Sequence, residues 1–224
     1  HTEDISGMAD GTITVTADVS DLAGNLATRV YPNPRPVEKD TDPPLIEIGV
    51  IEDDDIVSNS EQAAVVISGT AETKDNQPVT LTITGSIITI SATPTVMDSV
   101  WTHTEDISGM ADGDIIITAD VTNQIGNVAT QATRTLVKDI VAPTLAIDDL
   151  LMGDDIVNNS EQGAVVISGT TIGVENNRVV TLRIAGSIIG TPTVTDSVWS
   201  YPVNMSPWAD GNITITADVS DSAG

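Results

Sequence analysis

Short runs in which apolar and polar residues alternate recur along the whole chain, and they predict β-strands. Val79–Thr84 alternates cleanly, and Ala63–Thr70 is apolar on both sides of its run, which indicates a central strand. Turn-rich segments such as Ser108–Gly113 and Thr122–Asn127 separate these runs. No segment carries the periodicity of an amphipathic helix. The pattern therefore predicts an all-β protein.

The pattern also repeats at a long interval. The segment that begins at Met8, MADGTITVTADVSDLAGN, returns from Met110 as MADGDIIITADVTNQIGN and from Trp208 as WADGNITITADVSDSAG. IEDDDIVSNSEQAAVVISGTA from Ile51 returns from Leu151 as LMGDDIVNNSEQGAVVISGTT. The interval of roughly 100 residues is too long for a helical or propeller repeat and is typical of one all-β domain.

The repeat divides the chain into three copies. Residues 1–39 are predicted to be the C-terminal part of a first copy, 40–138 a complete second copy, and 139–224 a third copy that lacks its last strand. On this interpretation the sequence is a piece of a longer array.

The complete copy predicts seven strands. Its predicted segments, in chain order, are Leu45–Val50, Ala63–Thr70, Val79–Thr84, two strands within Ile87–Val96 and Val100–Thr104, Ile115–Val121, and Val128–Val137. Seven short strands in one copy predict an immunoglobulin-like β-sandwich, with Trp101 and Trp199 in the cores. The predicted architecture is a tandem of such sandwiches, joined end to end by short linkers.

Composition narrows the function. Acidic residues outnumber basic ones 33 to 8, for a formal net charge of −25. This charge argues against binding to nucleic acid or to anionic membrane surfaces, because both need clustered Lys and Arg. Cysteine is absent, which excludes disulfides and thiolate metal sites, and no apolar run is long enough for a membrane span. Bound cations would relieve the self-repulsion of so much negative charge.

Several motifs together resemble the bacterial immunoglobulin-like repeats of giant adhesins exported by type I secretion. The motifs are Asp139 followed by Ala142 and Pro143 in the linker, then DDIVNNSE, ISGT, VWS, DG and TADVSDxAGN. The resemblance implies an extender region on the bacterial cell surface, a stalk of tandem sandwiches that is stiffened by Ca²⁺ between domains and serves cell adhesion and biofilm formation. The first linker departs from the pattern, since it reads DTDPP from Asp40, and Asn123 stands where Asp21 and Asp221 occur in the other copies.

Sandwich topology predicts where cations would bind. Opposite poles of two sandwiches meet when the copies stack end to end, and oxygen-bearing side chains would gather there. Hard oxygen ligands in such number suit Ca²⁺. At the second junction the candidates are Asp53, Asp54, Asp55, Asp112, Asp114, Asp139, Glu175, Asn176 and Asp221. At the first junction they are Asp10, Asp40, Glu72, Asp75, Asn123 and Asn127.

The candidates differ in how directly they are indicated. Asp40 and Asp139 lie in the linkers, so they lie at the junctions regardless of how the loops fold. The acidic pair before Ile-Val recurs as Asp54 and Asp55 in one copy and as Asp154 and Asp155 in the next. Asp and Asn are also common turn formers, so solvated acidic loops are the alternative interpretation. Glu61 and Glu161 recur as well, and each can simply cap the turn before a strand.

No catalytic constellation is predicted. His1 and His103 occupy equivalent positions in different copies, and no phosphate-binding or nucleophile motif occurs. The partners predicted for the segment are the neighbouring repeats of the same chain. Two alternatives stay open: a ligand-binding adhesive module, for which Tyr201–Trp208 is the divergent candidate segment, and a filament in which Leu26–Arg35 of one chain completes the third copy of another.

Overall fold

The computed structural model describes residues 2–28, 34–149 and 153–224, and the strands of this part of the chain fall into three groups. An N-terminal ladder pairs β1 (Gly11–Val15) with β2 (Arg35–Lys39). A middle sandwich contains β3 (Ile46–Ile48), β4 (Ile56–Val57), β5 (Val65–Ala71), β6 (Val79–Thr84), β7 (Thr89–Ala92), β8 (Val100–Glu105), β9 (Gly113–Val121) and β10 (Ala132–Lys138). A C-terminal sandwich contains β11 (Thr144–Ile147), β12 (Val165–Ile172), β13 (Thr181–Ile184), β14 (Ser187–Gly190), β15 (Val198–Val203) and β16 (Ile215–Asp218).

The middle sandwich has immunoglobulin-like topology. A three-stranded sheet in the order β3-β5-β8 faces a five-stranded sheet in the order β4-β10-β9-β6-β7. Neighbours are antiparallel except for β4, which runs parallel to β10. The chain crosses between the two sheets several times, for example from β5 to β6 and from β8 to β9, as in a Greek key. The prediction of an all-β, immunoglobulin-like fold is confirmed.

The core of the middle sandwich is built from aliphatic side chains and one tryptophan. They lie at alternate strand positions, because successive side chains of a strand point to opposite faces. The fully buried positions include Val65, Ile67, Val79, Leu81, Ile83, Ile115, Ile117 and Leu136. Trp101 is 1% exposed and Trp199 of the C-terminal sandwich is 2% exposed, so the prediction that both tryptophans pack in cores is confirmed.

The predicted bounds of the first strand are wrong. Leu45–Val50 was expected as one strand before an acidic loop, whereas the structure has only Ile46–Ile48 as β3 and adds the short strand β4 inside that loop. The chain crosses from one sheet to the other between them, and Ile51, which is fully buried, anchors the crossing. Two residues paired with β10 are too short for an alternation pattern to reveal.

The last strand of each copy begins later than predicted. In the middle sandwich it is β10, which begins at Ala132 rather than at Val128. In the N-terminal ladder the corresponding strand is β2, which lies C-terminal to the predicted segment 26–35; residues 29–33 of that segment lie outside the described residues. The stretch before β2 is longer than its counterpart before β10, and this displaces the strand along the sequence.

The C-terminal sandwich repeats part of the same arrangement. Its sheets have the orders β11-β12-β15 and β14-β13-β16, and eight buried residues from Val165 to Met205 form its core. Leu182, Ile184 and Trp199 occupy the same core positions as Leu81, Ile83 and Trp101. Two copies of one sequence pattern therefore build two separate cores of the same design.

Candidate metal centre at the first linker

Three carboxylates meet where the N-terminal ladder joins the middle sandwich. Carboxylate oxygens of Asp10, Asp40 and Asp42 all lie within 4.8 Å of one another. Asp10 precedes β1, and the other two follow β2 in the linker, so the antiparallel pairing of Gly11 with Lys39 brings them together. Within residues 2–28, 34–149 and 153–224 no other group of three acidic, His or Cys side chains is so close.

Asp10 is the best-connected member of this group. Its Oδ2 accepts hydrogen bonds from the backbone N–H and the hydroxyl of Thr41, both at 2.8 Å. Its Oδ1 accepts one from Lys39 Nζ at 3.0 Å. These bonds, the Thr41 N–H first among them, lower the pKa of Asp10 to about 2. Asp10 is therefore ionised at neutral pH, and an ammonium group already contacts it.

The linker is also held from the other side. The side-chain Nδ2 of Asn127, in the turn after β9, donates to the carbonyl oxygens of Asp40 at 3.1 Å and of Asp42 at 3.0 Å. Asp40 Oδ1 accepts the backbone N–H of Asp42 at 3.0 Å. The two linker carboxylates are exposed. A cation can therefore reach both carboxylates from solvent.

The donor set at this point fits Ca²⁺. Three carboxylates can supply up to six oxygen ligands, and Ca²⁺ takes six to eight with flexible geometry. Two carboxylates about 4 Å apart repel each other by about 4 kcal/mol at an effective dielectric constant of 20, and a divalent cation would remove that repulsion. Lys39 Nζ already contacts the Asp10 carboxylate. Its ammonium would therefore have to move before one cation could bind all three carboxylates.

The second linker has a different chemistry. Asp139 follows β10 as Asp40 follows β2, but Ile140 and Val141 stand where Thr41 and Asp42 stand in the first linker. Asp139 Oδ1 accepts the N–H of Val141 at 3.0 Å, and its own N–H donates to the carbonyl of Val57 at 3.0 Å. The structure does not bring Asp112, the counterpart of Asp10, into a group of three carboxylates with Asp139 among the residues it describes.

The acidic run Asp53–Asp55 lies elsewhere than the sequence suggests. It was expected at the pole, in the turn before β5, and it instead occupies the crossing between β3 and β4. Asp55 forms an ion pair with Arg134 on β10, with Oδ1 at 2.6 Å from Nε and Oδ2 at 2.5 Å from Nη2. This bond to Arg134 lowers the pKa of Asp55. Asp54 Oδ1 caps the N–H of Ile56 at 2.9 Å, and Asp53 is exposed.

Most of the other candidates bond within their own loops. Asp154 caps Ile156 as Asp54 caps Ile56. Asn123 accepts the N–H groups of Ile125 and Asn127, and Asp221, which is 3% exposed, accepts those of Ala223 and Gly224. Glu61 and Glu161 cap their turns through the N–H groups of Ser58 and Asn158. Six more candidates bond to other loops or are exposed: Asp75 accepts the N–H of Asp98, Asn176 that of Asp196, and Glu175 the hydroxyl of Ser222, while Asp112, Asp114 and Asp155 are exposed.

Glu72 is the remaining candidate at the first junction. It lines an open cleft of about 800 Å³ together with Lys39, Asp40, Lys74 and Asn123. The cleft opens between the N-terminal ladder and the middle sandwich, so Glu72 faces the first linker without belonging to the close group of three.

Sequence reasoning missed Asp42 and the two lysines. Asp42 lies two residues after Asp40 in the linker, and this spacing places both in one turn. Lys138 is 1% exposed, and its Nζ donates to the carbonyl oxygens of Met110 at 2.6 Å and Ser108 at 3.3 Å; Lys39 contacts the carbonyl of Met8 in the same way. The recurring Lys-Asp pair before each linker was the signal that could have revealed this role.

The divergent segment Tyr201–Trp208 takes part in the C-terminal core. Met205 is 6% exposed, and Tyr201 and Trp208 pack against the core cluster. Tyr201 also fills the space beside Gly190, where an added Cβ would collide with its ring. These contacts give the segment a packing role in its own sandwich.

Fold and linker define the chain as tandem immunoglobulin-like β-sandwiches with an acidic junction. Among the described residues no helix has the length and apolar character needed to cross a membrane. No protein-family model matches the chain, and no curated protein sequence matches it either.

The chain is similar to solved structures of tandem repeats from large bacterial adhesins. A tetra-tandem repeat from the extending region of a large adhesion protein is 29% identical, with 99% of this chain and 55% of that chain covered and a TM-score of 0.42. A Ca²⁺-stabilized adhesin with which an Antarctic bacterium binds ice is 24% identical over 97% of this chain and 57% of that one, with a TM-score of 0.40. Fibronectin(III)-like modules of Clostridium thermocellum CbhA are 17% identical over 79% and 87%, with a TM-score of 0.42. The chain thus spans just over half the length of the two adhesin structures.

Proposed function

We propose that this chain is a structural extender segment of a large bacterial cell-surface adhesin. Its copies would stack end to end, as residues 1–39, 40–138 and 139–224, and hold a distal adhesive domain away from the cell. The observation that carries the proposal is the repetition of one sandwich design: two copies bury equivalent tryptophans in separate cores and connect through short linkers. Residues that recur in every copy suit a structural spacer better than an enzyme, because each added repeat lengthens the spacer.

Length is what such repeats would supply. Each sandwich would add roughly 30–40 Å, since the longest strand of the middle sandwich, β9, has 9 residues that rise about 3.3 Å each and the loops add length at both ends. A chain with a net charge of −25 also repels itself, which favours an extended arrangement of the copies. The location implied by this role is extracellular, on the bacterial surface, and biofilm formation is the process that the extender would serve.

Ca²⁺ is the proposed stiffening cofactor. The first linker supports this with Asp10, Asp40 and Asp42, and at the second linker Asp139 is the proposed ligand. Among the residues that the structure describes, nothing favours the alternatives of a ligand-binding module or of strand exchange between chains.

Calorimetric titration of the full chain with Ca²⁺, and with Mg²⁺ for comparison, tests the cofactor. We expect Ca²⁺ to bind and to raise the thermal midpoint, and we expect Mg²⁺ to do so less because it requires strict octahedral geometry. The double variant Asp40→Asn/Asp42→Asn should weaken binding at the first linker by about tenfold or more, because two charged ligands are lost.

The matched control is Asp210→Asn, an exposed aspartate of the C-terminal sandwich that lies in neither linker and does not line the cleft at the first linker. It should leave the titration unchanged. Absence of Ca²⁺ binding by the wild-type chain, or equal loss in the control, would contradict the cofactor proposal.

A further inference from the structure

Three side chains fasten the first linker to the structures on both sides of it. Asp10 from the N-terminal ladder accepts both Thr41 hydrogen bonds at 2.8 Å. Asn127 from the middle sandwich donates to the carbonyl oxygens of Asp40 and Asp42. The linker is thus bonded to the strand pair that precedes it and to the turn of the domain that follows. We call Asp10, Thr41 and Asn127 the linker clasp.

The part of the clasp contributed by the middle sandwich is itself held in place. Asn123 Oδ1 accepts the backbone N–H of Asn127 at 2.9 Å, and the N–H of Asn123 donates to the carbonyl of Asn127 at 2.9 Å. Asn127 is therefore fixed by its own turn, and its Nδ2 donates to the carbonyl groups of Asp40 and Asp42. An amide that donates to two carbonyls fixes their spacing, which a single bond would not.

Each bond of the clasp is made by groups of the protein alone. Lys39, at 3.0 Å from Asp10 Oδ1, supplies the positive charge beside the carboxylates. Asn127 is neutral and donates to carbonyl oxygens rather than to carboxylates, so its two bonds do not compete with a cation for the side chains of Asp40 and Asp42. Asp10 is the one carboxylate that the clasp and a bound cation would share.

The second linker lacks the threonine of the clasp. Ile140 replaces Thr41 and has no hydroxyl group, and Val141 replaces Asp42. Asp112, at the position of Asp10, therefore has no side-chain donor at position 140. Among the described residues, the second linker is hydrogen-bonded to the sandwich before it through the N–H of Asp139, which donates to the carbonyl of Val57, and the side chains of Ile140 and Val141 add no hydrogen bond to it.

We infer that the two joints of this chain differ: the first is held by the linker clasp and stays stiff without divalent cations, whereas the second is free to bend in their absence. This goes beyond the proposed Ca²⁺ role, because it assigns the stiffness of the first joint to Asn127, Thr41 and Asp10. A stalk built in this way would have a fixed joint and a cation-dependent joint in succession.

Spin-label distance measurements test the inference on the full chain, which has no cysteine of its own. One pair of cysteines replaces exposed Thr14 and Thr70 across the first joint, and another replaces exposed Thr70 and Thr170 across the second. In chelator we expect a narrow distribution for the first pair and a broad one for the second. Asn127→Asp should about double the width of the first distribution and leave the second unchanged, because a freed linker samples many geometries.

Gln124→Ala is the matched control, since Gln124 is exposed in the same turn. It should change neither distribution. Thr41→Ile, which copies the second linker at an exposed position, provides a second variant that does not touch the turn and should also broaden the first distribution. Near-ultraviolet circular dichroism of Trp101 confirms that each variant is folded.

The inference is overturned if the wild-type first joint broadens in chelator as much as the second, or if Asn127→Asp leaves its width unchanged. If Ca²⁺ fails to narrow the second distribution while the first stays narrow in chelator, the Ca²⁺ proposal fails and the clasp stands. The two proposals therefore have separate outcomes.

Discussion

At the residue scale, the two sandwiches share one tight contact between a glycine and a tryptophan. Gly69 pairs with Trp101 across β5 and β8, and Gly169 pairs with Trp199 across β12 and β15. A Cβ added at Gly69 would lie 2.7 Å from Trp101 Cζ2 and would also collide with the carbonyl of Glu47. Glycine is thus needed here for close approach rather than for unusual backbone angles.

Gly69→Ala should therefore destabilise the middle sandwich strongly. We expect a loss of about 3 kcal/mol, because neither the backbone of β3 nor a fully buried indole can move aside cheaply. Urea unfolding followed by tryptophan fluorescence measures it. Gly109→Ala is the control, since nothing lies within 4 Å of a Cβ at that position, and it should stay within about 0.5 kcal/mol of the wild type. Equal effects of both substitutions would refute the packing argument.

The ion pair between Asp55 and Arg134 makes a second prediction at this scale. The folded state holds the pKa of Asp55 below its unfolded value, so the stabilisation is complete above about pH 4 and is lost as the pH falls through the folded pKa. Asp55→Asn should cost about 1–2 kcal/mol at pH 6, since the pair is only partly buried.

The comparison of acid titrations checks this. The difference in unfolding free energy between wild type and Asp55→Asn should shrink as the pH falls below 4, while Asp53→Asn, at an exposed neighbour, should show little difference at any pH. A constant difference down to the acid limit would contradict the role of the ion pair.

At the scale of single elements, Lys138 secures the turn between β8 and β9. It is buried, and its ammonium donates to the carbonyl oxygens of Met110 and Ser108. Lys138→Met should cost about 1–3 kcal/mol, because it keeps the apolar stem but leaves the buried carbonyl of Met110 without this donor.

Lys74→Met is the matched control for charge, as Lys74 is exposed in the loop before β6. Thermal unfolding of both variants gives the comparison. If the Lys74 variant loses as much stability as the Lys138 variant, the effect arises from net charge and the turn contact contributes nothing.

The elements also show how far the sequence predicts this structure. Alternation located β5, β6 and β9 well, because long strands with one buried face carry a clear period. It missed β4, whose two residues carry no period, and so it placed Asp53–Asp55 at a pole instead of on the crossing between sheets.

The sequence predicts only the part of the candidate site that follows from linker position and strand pairing. Linker position brought Asp40 to the junction, and strand pairing brought Asp10 beside it. The contribution of Thr41, Asn127 and Lys39 depends on hydrogen bonds between residues far apart in sequence, which periodicity cannot indicate.

At the scale of the whole molecule, the copies share a design and their linkers do not. Each sandwich has its own core, so the loss of one by mutation should leave the other folded. In Gly69→Ala, tryptophan fluorescence should show two transitions: one at lower urea concentration, from Trp101, and one near the wild-type midpoint, from Trp199 and Trp208. A single transition shifted as a whole would instead indicate that the two cores unfold as one cooperative unit.

The central claim is that the chain forms an extended stalk segment that Ca²⁺ keeps straight at its second joint. Small-angle X-ray scattering of the full chain, first with Ca²⁺ and then with chelator, tests it most directly. With Ca²⁺ we expect a radius of gyration of about 28 Å, as for a rod on the order of 100 Å long, against about 17 Å for a compact protein of this length. Chelation should lower the maximum dimension while the β-sheet signal persists. A radius of gyration near 17 Å in Ca²⁺ would contradict the stalk, and a profile that is extended but identical in both conditions would contradict the role of Ca²⁺.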